Sequence, residues 1–201
     1  MKPALIAWLT LLTALLLSAC APRVTDPLAA WRQADGSLLW QQEYRFAPPP
    51  APWQLIDLNE DDYSIAFMKL CAQDYPCQST FAYAEDPFGY SLDFEQRQQE
   101  FFKRFLWASR VKFEAPKTRR VTVLGQEGLE AVALGTEPVL GHKVRARVVF
   151  ARRGERVVGF YFTQWRAKEV AFDQADETDF DAFVASFGFA RPSFYQGLGT
   201  P

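Results

Sequence analysis

The sequence predicts an α+β fold, a mainly antiparallel sheet with helices packed on it, and three observations carry that prediction. Four β-prone runs follow one another in the second half, at Val121-Thr122-Val123-Leu124 and residues 129–136, 143–151 and 156–165. Each is bounded by turn-forming residues, the pattern of an antiparallel meander. Phe180, Phe183, Val184 and Phe187 then recur at i, i+3, i+4 and i+7, the stripe of a helix packed on one side. Composition suits a folded body: 49% of residues are hydrophobic, with 18 Phe and 6 Trp to build a core, and 23% are charged.

Ahead of that body lies a leader. Met1-Lys2 is a short basic start, and residues 5–17 are almost wholly apolar apart from Thr10 and Thr13. A run this short spans the bilayer core less comfortably than the ~20 residues of a membrane helix, so it reads as a secretory leader. It closes on Leu17-Ser18-Ala19-Cys20, which resembles the lipobox of bacterial lipoproteins. That resemblance implies that residues 1–19 are a signal peptide cut before Cys20, and that Cys20 carries a diacylglyceryl group and an acylated (palmitate-type) amino terminus. The plainer alternative is a signal peptide cut after Ala19 with Cys20 unmodified. Ala21 after the cysteine resembles outer-membrane sorting, so the expected address is the bacterial cell envelope, on the periplasmic face of the outer membrane if the cell is Gram-negative. Residues 20–37, with Pro22 and Pro27, are expected to form a tether, 38–189 a single domain, and 190–201 a flexible tail. Without Lys2 the chain carries 21 basic against 24 acidic residues, which makes nucleic acid a poor partner.

The other cysteines, Cys71 and Cys77, are separated by five residues. In an exported chain a structural disulfide is the favoured reading, whereas a redox-active pair wants two intervening residues. Such a small ring stabilises by about 2 kcal/mol, enough to fix a local turn. His142 is the single histidine, so zinc lacks ligands, and no cofactor is expected. Asp57, Asn59 and Asp61 alternate like the opening of a calcium loop, but Asp62 stands where that loop needs glycine and Met68 where it needs glutamate. The match fails, and an acidic turn is the better reading.

Taken in order, residues 38–46 alternate apolar and polar side chains and read as the first strand. The prolines of 47–52 keep a stiff extended connector, with a proline-rich recognition motif as the less favoured alternative. Residues 53–58 and 63–70 read as a second and third strand parted by a polar turn, and 78–84 as another. Ser91 is a candidate N-cap for a helix over 92–107, whose Phe94, Phe101 and Phe105 share a stripe. That stripe reads as core, and a groove for an acyl chain is its functional alternative. Arg153-Gly154 joins the two best strands as a compact hairpin. Arg145, Arg147, Arg152, Arg153 and Arg156 cluster there. Alternate arginines on a strand are ordinarily its solvated face, but Arg152, Arg153 and Arg156 are candidates for a partner contact. Thr178 reads as the cap of the last helix, with Asp179 and Asp181 in its first turn complementing the dipole.

This order of elements has a family likeness. The strand leading into the proline run and Trp53, the middle helix, the strand pair around Val123-Leu124-Gly125-Gln126-Glu127-Gly128-Leu129-Glu130, the long hairpin and the closing Phe183-Val184-Ala185-Ser186-Phe187-Gly188-Phe189 resemble the PsbP-like superfamily over residues 38–189. The family includes photosystem II extrinsic proteins, a nuclear Ran-binding protein and bacterial lipoproteins. The resemblance implies an α/β/α sandwich around an antiparallel sheet, and binding or assembly without catalytic residues. The residues themselves carry no Gly-x-Ser-x-Gly elbow, phosphate-binding glycine loop or His-Glu-x-x-His helix. His142, after Gly141 in a turn, reads as a surface histidine. The expected protein is therefore a non-enzymatic lipoprotein, membrane-held through its lipid, with an envelope protein as partner. A carrier or sensor of a small apolar ligand is the alternative, and a hydrolase the third reading.

Overall fold

The computed structural model describes residues 26–59, 64–71, 77–85, 110–153 and 156–190. The leader, Cys20, the helix expected over 92–107, the acidic turn after Asn59 and Gly154 lie outside them. By contacts the chain divides into Met1–Arg32 and Gln33–Pro201. In the first unit Asp26 accepts from the Leu28 amide (3.0 Å) and from Arg32 Nη2 (2.9 Å), and Ala29–Trp31 form a 3-10 turn. Of the tether expected over 20–37, residues 20–25 lie outside the described residues, and in the second unit a 2.8 Å bond from the Gln33 amide to the Ser37 carbonyl closes a turn.

The second unit holds two antiparallel sheets and one described helix. The residues expected to make one strand over 38–46 make two, β1 (Leu38–Trp40) and β2 (Tyr44–Phe46). Gln41 and Gln42 both adopt positive φ, at 53° and 58°, which builds the tight turn that folds the run back on itself. The alternation was real, but a period of two cannot reveal a reversal made by residues with no turn preference. A closing strand, β11 (Gly188–Phe189), adds to β2.

The large sheet comprises β3 (Gln54–Asn59), β4 (Ser64–Leu70), β5 (Gln78–Glu85), β6 (Lys112–Phe113), β7 (Lys117–Val123), β8 (Gln126–Thr136), β9 (Lys143–Arg153) and β10 (Arg156–Arg166), in the order β3-β4-β5-β10-β9-β8, with β6 and β7 both pairing β8. Strands β7 to β10 are the expected meander. Leu124 and Gly125, at φ 53° and 71°, make the turn between β7 and β8. Gly128 is required by space, since a Cβ there would run into the Phe150 carbonyl.

Helix α1 (Gln174–Ser186) covers one face of this sheet. Asp173, not Thr178, is its N-cap, accepting from the Ala175 amide at 2.8 Å. Thr178 lies inside the helix and donates to the Gln174 carbonyl. Asp179 and Asp181 are therefore mid-helix, and the first-turn acids are Asp176 and Glu177. The start was misplaced because Gln174 to Glu177 carry no large apolar residue, so the hydrophobic stripe begins one turn late.

Strand register puts the covered face in cross-strand rows. One runs Lys69, Ser79, Gln164, Arg145; the next Phe67, Phe81, Phe162, Arg147, Val132, Lys117; the third Ile65, Tyr83, Phe160, Val149, Glu130, Arg119. Over β4, β5 and β10 the face is aromatic. Phe180 stacks on Phe162 at 5.2 Å, Phe183 lies 4.9 Å from Phe81, and Phe187 stacks on Tyr83 at 4.3 Å. Phe46 of the small sheet stacks on Phe187 at 5.3 Å. Each such pair is worth ~0.5–1.5 kcal/mol beyond its buried area. The opposite face is buried too, through Ala131, Ala133, Val148, Phe150, Val157 and Tyr161.

Candidate functional site

Moving along the covered face from β10 to β9, β8 and β7, the aromatic rings give way to charge. Arg145 and Arg147 project from β9 toward α1. They are half-buried and ion-paired, which corrects the reading of alternate arginines as a solvated face: helix acids brought from thirty residues downstream meet them. Arg145 Nη1 is 2.5 Å from Glu177 Oε1, and Arg147 Nη1 is 2.7 Å from Asp181 Oδ1. Arg147 also donates through Nε to Glu130 on β8 at 2.6 Å, while its guanidinium carbon lies 5.3 Å from the centre of the Phe180 ring. Glu130, with only 4% of its side chain exposed, takes a second donor from Arg119 of β7. Burial raises the Glu130 carboxyl, but the two arginines outweigh it and hold it below its ordinary value. Arg119 is 70% exposed, so the chain of charges runs from beneath the helix out to water.

Two clefts of about 390 Å³ open on either side of this chain of charges. One lies between Val121 and Val123 of β7 and Val184, Ala185 and Phe187 at the end of α1. The other is bounded by Lys117, Arg145 and Glu177, and both share Arg119, Glu130, Arg147 and Asp181 as walls.

A separate charge cluster is sealed near the start of α1. Asp176, 2% exposed, receives Lys69 (2.6 Å), Arg166 (2.9 Å) and the Ser79 hydroxyl. Arg166 is itself 3% exposed and is further held by Ser79 Oγ at 2.8 Å and the Gln78 carbonyl at 2.7 Å. The carboxylate of Asp176 pushes the Lys69 amine up. Beside this cluster a cleft of about 740 Å³ opens between Pro52, Leu70, Ala171, Phe172 and the Cys71–Cys77 disulfide. The bridge is formed, with Cα atoms 5.2 Å apart and the Cys71 amide donating to the Cys77 carbonyl.

Of the expected site residues, Arg152 is exposed on β9, and register pairs Arg153 with Arg156 where β9 and β10 meet, bringing the three to one end of the sheet. Cys20 lies outside the described residues. His142 is half-buried in the turn from Glu137 to His142, its carbonyl accepting from the Glu137 amide, and its Nδ1 has no hydrogen-bond partner. Among the described residues no three His, Cys, Asp or Glu side chains gather as a metal site. Sequence reasoning missed the Asp176 and Glu130 clusters. The one available signal was the presence of glutamate and arginine at positions where a strand otherwise turns apolar residues inward.

Against known structures the chain aligns with the yeast Ran-binding protein Mog1p over 77% of its own length and 94% of that chain, at 14% identity and a TM-score of 0.54. The two chains share a fold. This chain is also similar to Mycobacterium tuberculosis LpqN, a protein involved in cell envelope biogenesis (10% identity, 73% of this chain and 82% of that one, TM-score 0.48), and to cyanobacterial PsbP of Synechocystis (17%, 73% and 86%, 0.43). No family model and no curated protein matches the sequence. At these identities the likeness concerns the fold alone, and the mainly antiparallel α+β architecture expected from the order of elements is the one observed, with one helix layer among the described residues.

Proposed function

We propose that this protein is a non-catalytic binding or assembly module held in a bacterial envelope by lipid on Cys20. The observation that carries the binding reading is the face beside α1. Glu130, Arg147, Asp181, Arg145 and Glu177 are committed to one another and hold the walls rigid, while clefts on both sides of Arg119 stay open to solvent. Preorganised walls reduce the ordering cost of association, and groups already paired inside the fold are poor candidates for proton transfer to a substrate. The envelope address is supported by Leu17-Ser18-Ala19-Cys20 and by the Cys71–Cys77 bridge, a bond favoured in oxidising compartments. The 740 Å³ cleft, with Leu70 59% exposed at its rim, favours the carrier of a small apolar ligand as the second reading.

Two measurements test this. Mass spectrometry of the mature amino terminus should find Cys20 acylated, and an unmodified Cys20 removes the anchor. Extraction in mild detergent followed by affinity purification should bring down a protein partner in stoichiometric amount. A bound lipid in its place selects the carrier.

A further inference from the structure

Strand β7 ends the large sheet. Among the described residues it pairs with β8 alone, and its residues 117–120 are all exposed, Arg119 and Arg120 at 70% and 75%. Every second residue of an edge strand turns its N–H and C=O away from its neighbour, so about 23 Å of backbone here presents hydrogen-bonding groups outward. Native sheets guard such edges with charge, and that is the ordinary explanation of Lys117, Arg119 and Arg120. The guard is lopsided, however. Its charges are all basic, Arg119 and Arg120 reach back along β8 to Glu130 and Glu127 yet stay mostly exposed, and the row covers only the first half of the strand, while Val121, Thr122 and Val123 follow without charge. Beside Val121 and Val123 lies the cleft whose apolar wall is Val184, Ala185 and Phe187 and whose other wall is the Arg119, Glu130, Arg147 and Asp181 chain of charges. Facing a second β7 strand antiparallel at full overlap, this edge would set Arg120 against Arg120 and leave Arg119 and Lys117 opposite Val121 and Val123. Facing an acidic strand, the exposed guanidiniums of Arg119 and Arg120 could each bridge a second carboxylate beside Glu130 and Glu127, and Lys117 would meet opposite charge as well.

We propose that β7 is an acceptor edge for an extended acidic segment of a partner protein, which adds antiparallel to it. Acidic side chains of that segment lie opposite Arg120, Arg119 and Lys117, and apolar ones opposite Val121 and Val123 lean into the cleft. Main-chain bonds supply affinity that is indifferent to sequence, while the charge row and the cleft supply selectivity. The proposal deepens the binding-module reading and rests on it, because it names the class of partner and the surface.

The test uses the full chain and the capped heptapeptide Val-Thr-Val-Glu-Glu-Thr-Glu, written to run opposite residues 123 to 117. Fluorescence anisotropy should show binding that weakens as salt rises. Arg120→Ser should weaken it roughly twofold to fivefold, as for an exposed ion pair. Arg120→Glu should be rescued by a peptide carrying lysine at the matching position. The deciding arm is backbone N-methylation of alternate peptide residues. An added strand uses one edge, so one alternate set should lower affinity by at least about tenfold while the other set spares it. Equal effects of the two sets, or a scrambled peptide binding as well, overturns the proposal. So does sedimentation showing a dimer that Arg120→Glu dissolves, which gives the edge to a second copy. If the peptide fails while a partner still co-purifies, the edge is wrong and the module reading stands. If the peptide binds but no partner co-purifies, the edge is supported and the module reading fails.

Discussion

Two halves of the space under helix α1 are built from opposite chemistry. Over β4, β5 and β10, Phe180, Phe183 and Phe187 meet Phe81, Tyr83, Phe160 and Phe162, ring against ring. Over β9, β8 and β7 the same helix meets arginines and Glu130, and clefts remain. Rings fill space without regard to partner identity, so the aromatic half fixes where the helix lies. Ion pairs demand direction and tolerate water, so the charged half leaves room beside them. The difference teaches that stability and openness are divided between the two flanks of one helix.

That division is open to direct tests. Phe183→Ala should cost the most, about 4 kcal/mol through lost burial and the cavity left among Phe46, Phe67 and Phe81, equally at every pH where the fold persists. Denaturant titration at neutral and mildly acid pH measures it, and a pH-dependent loss would break the comparison. Asp176→Asn should cost about 3 kcal/mol, because it strands the nearly inaccessible Arg166 charge. It separates sealed charges from open ones: urea titration should find the loss, and unchanged 1 M NaCl sensitivity should accompany it, since buried pairs are screened little. Glu130→Gln should cost about 2 kcal/mol at neutral pH, from two arginines losing a shared carboxylate.

The sign of the pH effect follows from Glu130. Its folded value is depressed by Arg119 and Arg147 against the opposing effect of burial, from an ordinary 4.5. The stabilisation is complete above that ordinary value and is lost as pH falls through the folded one. The Gln variant should therefore show a flatter acid limb than the parent, by circular dichroism across a pH series. His142→Ala should be the smallest change, within about 0.5 kcal/mol, as its turn is held by backbone and Glu137 bonds. If that variant keeps its stability but loses the protein's biological activity, the binding reading gives way to an enzyme.

The sequence made the aromatic half legible and left the charged half hidden. Phe180, Phe183 and Phe187 repeat at helical spacing, and a periodic pattern needs no knowledge of what it packs against. Arg145 and Arg147 repeat at strand spacing, which says only that they share a face. Whether that face meets water or Glu177 and Asp181 depends on where a helix 30 residues away comes to rest, and no local rule carries that. Glu130 was hidden for the same reason, since each of its arginines is separated from it by more than ten residues. The disulfide was legible because five intervening residues bring two cysteines together whatever surrounds them.

The small sheet ties the two ends of the domain together. Strand β11 pairs Gly188 and Phe189 with Arg45 and Tyr44, and Ser186 Oγ accepts from the Ala47 amide, 139 residues away in sequence. Closing so long a loop loses chain entropy early and recovers it only through contacts made last. A growing or crossing chain that has yet to release its final thirty residues lacks both the helix and the strand that cap Phe46, Phe67 and Phe81. Its native state is reachable only once helix α1 and strand β11 are available, which leaves a chain of this design slack and threadable until that segment emerges.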